Sequence, residues 1–231
     1  MPVRLARARQ AGAVSHCRRL SRAVTAVAIT VGLALGGCTA APTGPRPETT
    51  GLDEAWQRLG ELTTASAGSM RGYSRQRFPH WRDIGPNCDV RDAVLRRDGA
   101  GIKTYGCNVV DGRWLSVYDN RTLSDPADVD VDHMVPLANA WRSGADEWTD
   151  ARRGDFANDL TRPQLIAVSA SSNRAKGDQD PSQWKPPNRD AWCQYAKDWV
   201  EVKYFWRLSV TTRERAALAD MLETCEWWIK V

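Results

Sequence analysis

Histidine is scarce in this chain, with three in 231 residues. No Cys-x-x-Cys pair is present, which removes the usual ligand spacing of a structural zinc site. The apolar run at residues 23–36 is 14 residues long, short of the roughly 20 that a membrane-spanning helix needs. No internal repeat is visible, so solenoid and propeller architectures are excluded. Acidic residues are missing from the first 37 positions, where six arginines fall (Arg4, Arg7, Arg9, Arg18, Arg19, Arg22). The formal net charge of +4 is owed to them: beyond residue 37, 26 basic residues face 28 acidic ones. Such a body cannot attract polyanions by bulk charge. Any attraction must be local or carried by a bound cation.

The arginine-rich start and short apolar centre fit a secretory signal. The run ends Leu35-Gly36-Gly37-Cys38, which resembles the lipobox of bacterial lipoproteins. The resemblance implies cleavage after Gly37, acylation of Cys38, and an exported protein anchored by lipid on the outer side of the membrane. Residues 39–51, rich in Pro, Thr and Gly, read as a flexible tether. Residues 52–231 are long enough to bury a core of their own. Of six cysteines, Cys17 leaves with the signal and Cys38 takes the lipid. Cys88, Cys107, Cys193 and Cys225 remain, an even number in an exported chain, which points to two disulfides.

Leu52, Trp56, Leu59 and Leu62 repeat at helical spacing and predict a helix over 52–66. Asp111-Gly112 between residues 102–110 and 113–118 predicts a β-hairpin with its turn there and Cys107 on the first strand. A Cys88–Cys107 bridge would pin the short helical stretch 91–97 to that hairpin. Two helices close the chain, the first over about 190–206. Thr211 with Glu214 forms a capping box for the second. Cys193 and Cys225 stand level in an antiparallel helical hairpin, so a bridge between them is geometrically natural.

The residues suited to chemistry lie between 130 and 178. His133 adjoins Asp132 in a segment of strand character that Pro136 ends. A histidine near its ordinary pKa is the best general base at neutral pH. Asp and Asn oxygens suit a hard cation such as Mg²⁺ or Mn²⁺. Such a set, with Arg174 and Lys176 near phosphate, can hydrolyse a phosphodiester. In a regular strand Asp132 and His133 face opposite sides, so both serve one phosphate only if the chain bends there. Arg142, Arg152, Arg153 and Arg162 make residues 138–164 locally basic. They form either a nucleic-acid contact or a solvated face paired with Asp146, Glu147, Asp150 and Asp155.

Asp132-His133-x-Val135-Pro136, followed by a strand and Asn173-Arg174-x-Lys176-Gly177, resembles the ββα-metal motif of HNH nucleases. It is similar to the HNH domain of RNA-guided DNA nucleases and to the C-terminal domain of GmrSD-type restriction endonucleases. Exported actinobacterial HNH proteins share text resembling 141–145, 156–160, 173–178 and 184–187, and the likeness covers about residues 80–230. It implies a ββα-metal core at 128–180, which with the N-terminal β-hairpin and the disulfide-stapled C-terminal helical hairpin read above makes an α+β domain. It implies an endonuclease acting on DNA, or RNA, with one divalent cation, Mg²⁺ or Mn²⁺; no recognition-helix or zinc-finger motif is visible in the sequence, so low sequence specificity is expected. Asp132 and Asn173 take the place of metal ligands, His133 that of the general base, and Lys176 that of a phosphate contact. The family's middle Asn braces the loop that holds the base. Gln164 stands nine residues before Asn173, and Asn158 in the insertion offers the same amide. No protein partner is implied. The competing functions are a non-catalytic envelope lipoprotein on this scaffold and a hydrolase of another phosphodiester.

Overall fold

The computed structural model describes residues 50–225. The signal, Cys38 and the tether up to residue 49 lie outside the described residues, as do 226–231. Helix α1 (Thr50–Glu61) packs Ala55 and Leu59 into the core, with Leu52 and Trp56 against its edge. It ends earlier than the apolar spacing suggests, because Thr64 leaves it to pair with Val210 in an isolated bridge.

A short ribbon of β1 (Asp83–Gly85) and β2 (Cys88–Asp89) leads into α2 (Val90–Asp98). Asp89 caps α2 and exchanges bonds with Asp92 in a capping box. Strands β3 (Gly99–Tyr105), β4 (Asn108–Ser116) and β5 (Arg121–Leu123) form an antiparallel sheet.

The hairpin turn is not at Asp111-Gly112. Tyr105 pairs with Asn108, so the turn is Gly106-Cys107, and Cys107 sits in it rather than on a strand. Gly106 adopts φ 62°, which glycine tolerates without strain. Gly112 instead lies inside β4, where a Cβ would come within 2.5 Å of Ile102 Cδ1 and 2.8 Å of the Trp114 ring. It is glycine because two side chains cross it, which marks close packing and not a turn.

Strand β6 (Val129–His133) runs into α3 (Leu137–Arg142) and α4 (Asp150–Ala157). Strand β7 (Leu165–Ser169) then returns antiparallel to β6, and α5 (Ala170–Lys176) follows it directly. Helix α6 (Trp192–Trp206) and α7 (Thr212–Glu223) close the chain as an antiparallel pair, with the Thr211/Glu214 capping box in place. Both disulfides form as the spacing suggests: Cys88–Cys107 with Cα atoms 5.1 Å apart and Cys193–Cys225 with Cα atoms 5.0 Å apart. Among the described residues no helix is long and apolar enough to cross a membrane.

Two apolar clusters flank the β6–β7 ribbon. One joins α1, α6 and α7 to Met134, Val135, Phe156 and Val168. The other joins α2 and β4 to Val129, Val131, Leu165 and Ala167. The ribbon is therefore buried on both faces, and any polar group on it needs a partner.

Candidate active site

The β6–β7 register is regular to the end of the strand, pairing Asp130 with Val168, Asp132 with Ile166 and His133 with Leu165. Alternation therefore separates Asp132 from His133. The two aspartates face α5, whereas His133 shares its face with Val129 and Val131.

On the α5 side, two strand carboxylates meet two helix side chains one turn apart. Asn173 Nδ2 donates to Asp130 Oδ2 at 3.0 Å. Lys176 Nζ donates to Asp132 Oδ2 at 2.5 Å and to the carbonyls of His133 and Met134 at 2.8 and 3.0 Å. Tyr118 donates its hydroxyl to the same Asp132 oxygen at 2.8 Å. Lys176 is completely buried and its three donors are all engaged. The expectation that it meets phosphate is corrected: it is the internal partner of Asp132. Burial pushes the Asp132 carboxyl up and the Lys176 ammonium down, each opposed by the partner's charge. Arg174 is exposed on the same helix. Arg121, from β5, donates to Ser171 one turn earlier. Asp130, Tyr118 and Arg121 were not singled out from the sequence. Asp130 was within reach of that reading, since a strand places residues two apart on one face.

On the other face His133 is 5 % exposed. Its Nε2 lies 3.0 Å from the Ala157 carbonyl. A carbonyl only accepts, so Nε2 carries the proton and Nδ1 is the basic atom of the neutral ring. Burial is the main cause that lowers the His133 pKa to about 3, with smaller contributions from the charges of Arg75 and Lys176. Trp81 stacks on the ring at 5.6 Å and 30°, and His80 meets it edge-on at 6.1 Å.

The two amides considered for the middle position brace different segments. Gln164, fully buried, accepts from Val135 N at 3.1 Å and donates to Val135 O at 3.0 Å, just beyond His133. Asn158 accepts from Arg82 N at 2.9 Å and donates to Pro79 O at 2.7 Å, clamping the segment that carries His80 and Trp81. The arginines of the insertion are mostly tied internally. Arg153 is buried on carbonyls and Asp150, Arg142 pairs with Asp178, and Arg162 with Asp159.

Among the described residues no three His, Cys, Asp or Glu converge to hold a metal. The α5 face instead offers the Asp130 carboxylate and the Asn173 amide within hydrogen-bond distance, with Asp132 on the same strand face. These are hard oxygen donors, few in number, which fits a cation that keeps most of its water. A polar cleft of about 760 Å³, lined by Asn139, Arg142, Asp178 and Thr211, contains none of these residues.

Residues 89–221 match the model of the GmrSD restriction endonuclease C-terminal domain. A protein described as an uncharacterized secreted protein, from Arthroderma benhamiae (strain ATCC MYA-4681 / CBS 112371), is 48 % identical over 188 residues, which covers 81 % of this chain and 92 % of that one. No solved structure matches the chain. The family match spans β6, β7 and α5 with both of their faces, and the chain accordingly belongs to the family of the GmrSD restriction endonuclease C-terminal domain.

Proposed function

We propose that this protein is an exported, metal-dependent endonuclease of the HNH type, held at the membrane through Cys38. It hydrolyses phosphodiester bonds of DNA, with RNA as the second substrate to test, and with low sequence specificity. The observation that carries this reading is His133: a buried, neutral imidazole whose Nε2 is fixed on the Ala157 carbonyl, so that Nδ1 is the atom able to take a proton. Family membership supports the reaction class.

In this mechanism His133 Nδ1 accepts the proton of the attacking water. The Ala157 carbonyl holds the tautomer, and Trp81 limits ring rotation. The anionic phosphate of a bound substrate opposes the burial that depresses the ring's pKa and so strengthens the base. Asp130 and Asn173, with Asp132, would hold one Mg²⁺ or Mn²⁺. When bound, such a cation stabilises charge on the phosphate and the leaving oxygen. Lys176 keeps Asp132 paired in a buried position. Arg174, exposed, reaches the flanking phosphates. His133 and Asp132 stand on opposite faces of β6, so the reading requires the chain to bend at the strand end when a phosphate binds.

The test is nicking of supercoiled plasmid by the oxidised protein from residue 39 onward, with Mg²⁺ or Mn²⁺ and with EDTA, beside His133→Ala. Cleavage that needs the cation and disappears in the variant upholds the reading. Equal inertness of both proteins on DNA and RNA would return the scaffold to a non-catalytic role. Activity confined to other phosphodiesters would move the substrate class.

A further inference from the structure

We propose that the segment Arg75–Arg82, which precedes the part of the chain matched by the family, carries a phosphate-binding Arg75 oriented by His80 in front of His133. The inference rests on the nuclease reading above and names a further substrate contact for it.

The segment is a built feature. Phe78 is fully buried and anchors it against Tyr73, Trp141 and Phe156. Asn158 clamps it on both sides of His80-Trp81. Arg82 pairs with Asp155 at 2.9 Å and lies over Gly154, where a Cβ would come within 2.7 Å of its guanidinium. Trp81 holds φ 60°, a left-handed conformation that a bulky side chain adopts only under constraint. That conformation sets the indole on the His133 ring.

His80 is held at both ring nitrogens. Nδ1 lies 2.8 Å from the Phe78 carbonyl, so it carries the proton and donates. Nε2 then accepts from Arg75 Nε at 3.3 Å. With Nε occupied, the two terminal nitrogens of Arg75 form a planar fork suited to phosphate oxygens. Arg75 is exposed, and its charge is felt by the His133 ring. Its neighbours Arg77 and Arg82 are paired with Asp150 and Asp155, whereas Arg75 Nε donates to the ring of His80. Arg75 is thus a cation oriented by a neutral group beside the proposed base.

The experiment compares the wild-type protein with Arg75→Gln and His80→Ala. It follows duplex DNA binding by fluorescence anisotropy in EDTA over a salt series, then cleavage kinetics with Mn²⁺. Arg75→Gln should lower kcat/KM by about 100-fold. It should also reduce the slope of log K against log salt by about one, the value for one lost phosphate contact. His80→Ala should lower kcat/KM less than Arg75→Gln while leaving the salt slope unchanged, since the charge remains. Thermal melts of both variants separate lost contacts from lost folding. A wild-type slope and wild-type kinetics in Arg75→Gln overturn the inference alone. A wild-type protein that neither binds nor cleaves takes down the nuclease reading and this inference with it.

Discussion

Asp132 and His133 are adjacent in the chain and meet opposite conditions. Asp132 faces α5, where Lys176 and Tyr118 both donate to one of its oxygens. His133 faces the other side, stacked on Trp81 and tied to a backbone carbonyl. Each group is about 95 % buried, yet one is stabilised by a charge and the other by having none. A buried ion needs a partner of opposite sign. A buried base needs only a fixed proton on its far nitrogen. The ribbon supplies both because its side chains alternate.

The strongest test of this contrast is on the uncharged face. His133→Ala should lower cleavage by about 10²–10⁴-fold, the usual contribution of a general base, and loss of the buried ring should also lower thermal stability. A large loss of stability with retained activity would show that the ring is a packing element. On the charged face the expected loss is in folding. Lys176→Met leaves Asp132 buried without its cation and should cost about 3–5 kcal/mol in urea denaturation. Adding Asp132→Asn should restore most of that. If it does not, packing of the lysine stem outweighs its charge.

Asp198 on α6 extends the comparison to a half-buried carboxyl held chiefly by an amide. Gln194 donates to it at 2.6 Å, and burial raises its pKa to about 7. A carboxyl raised above its unfolded value of 3.8 contributes stability at low pH that is lost as pH climbs through about 7. Asp198→Asn should therefore match the wild type near about pH 4 and exceed it by on the order of 2 kcal/mol near about pH 8. Thermal melts across that range check the sign. The smallest expected effect is on Asn173, bonded to Asp130. Asn173→Ala should weaken Mn²⁺ binding by about 10-fold in titration calorimetry. Unchanged affinity would remove Asn173 from the cation site.

Much of this was legible in the chain. The Cys193–Cys225 bridge followed from equal distances about a helical turn, and the capping box at Thr211 from local hydrogen-bond chemistry. The strand at His133 followed from its residues and Pro136, whereas the second strand and the helix at Asn173 followed from the resemblance to HNH nucleases. The hairpin turn did not: Asp111-Gly112 carries a strong turn signal, but Ile102 and Trp114 close over Gly112 from elsewhere in the sheet. Lys176 likewise reads as a solvent cation in any linear view. Only the packing of α5 on β6 turns it inward.

By itself the sequence determined what depends on local spacing: most of the helices, the disulfide partners and the candidate base. The tertiary structure decided what depends on which surfaces meet. It put His133 and Asp132 on opposite faces, gave Asp130 to Asn173 and Asp132 to Lys176, and brought Arg75, His80 and Trp81 to the base from more than fifty residues away. Such long-range pairings are fixed by burial across elements, which no local window of sequence contains.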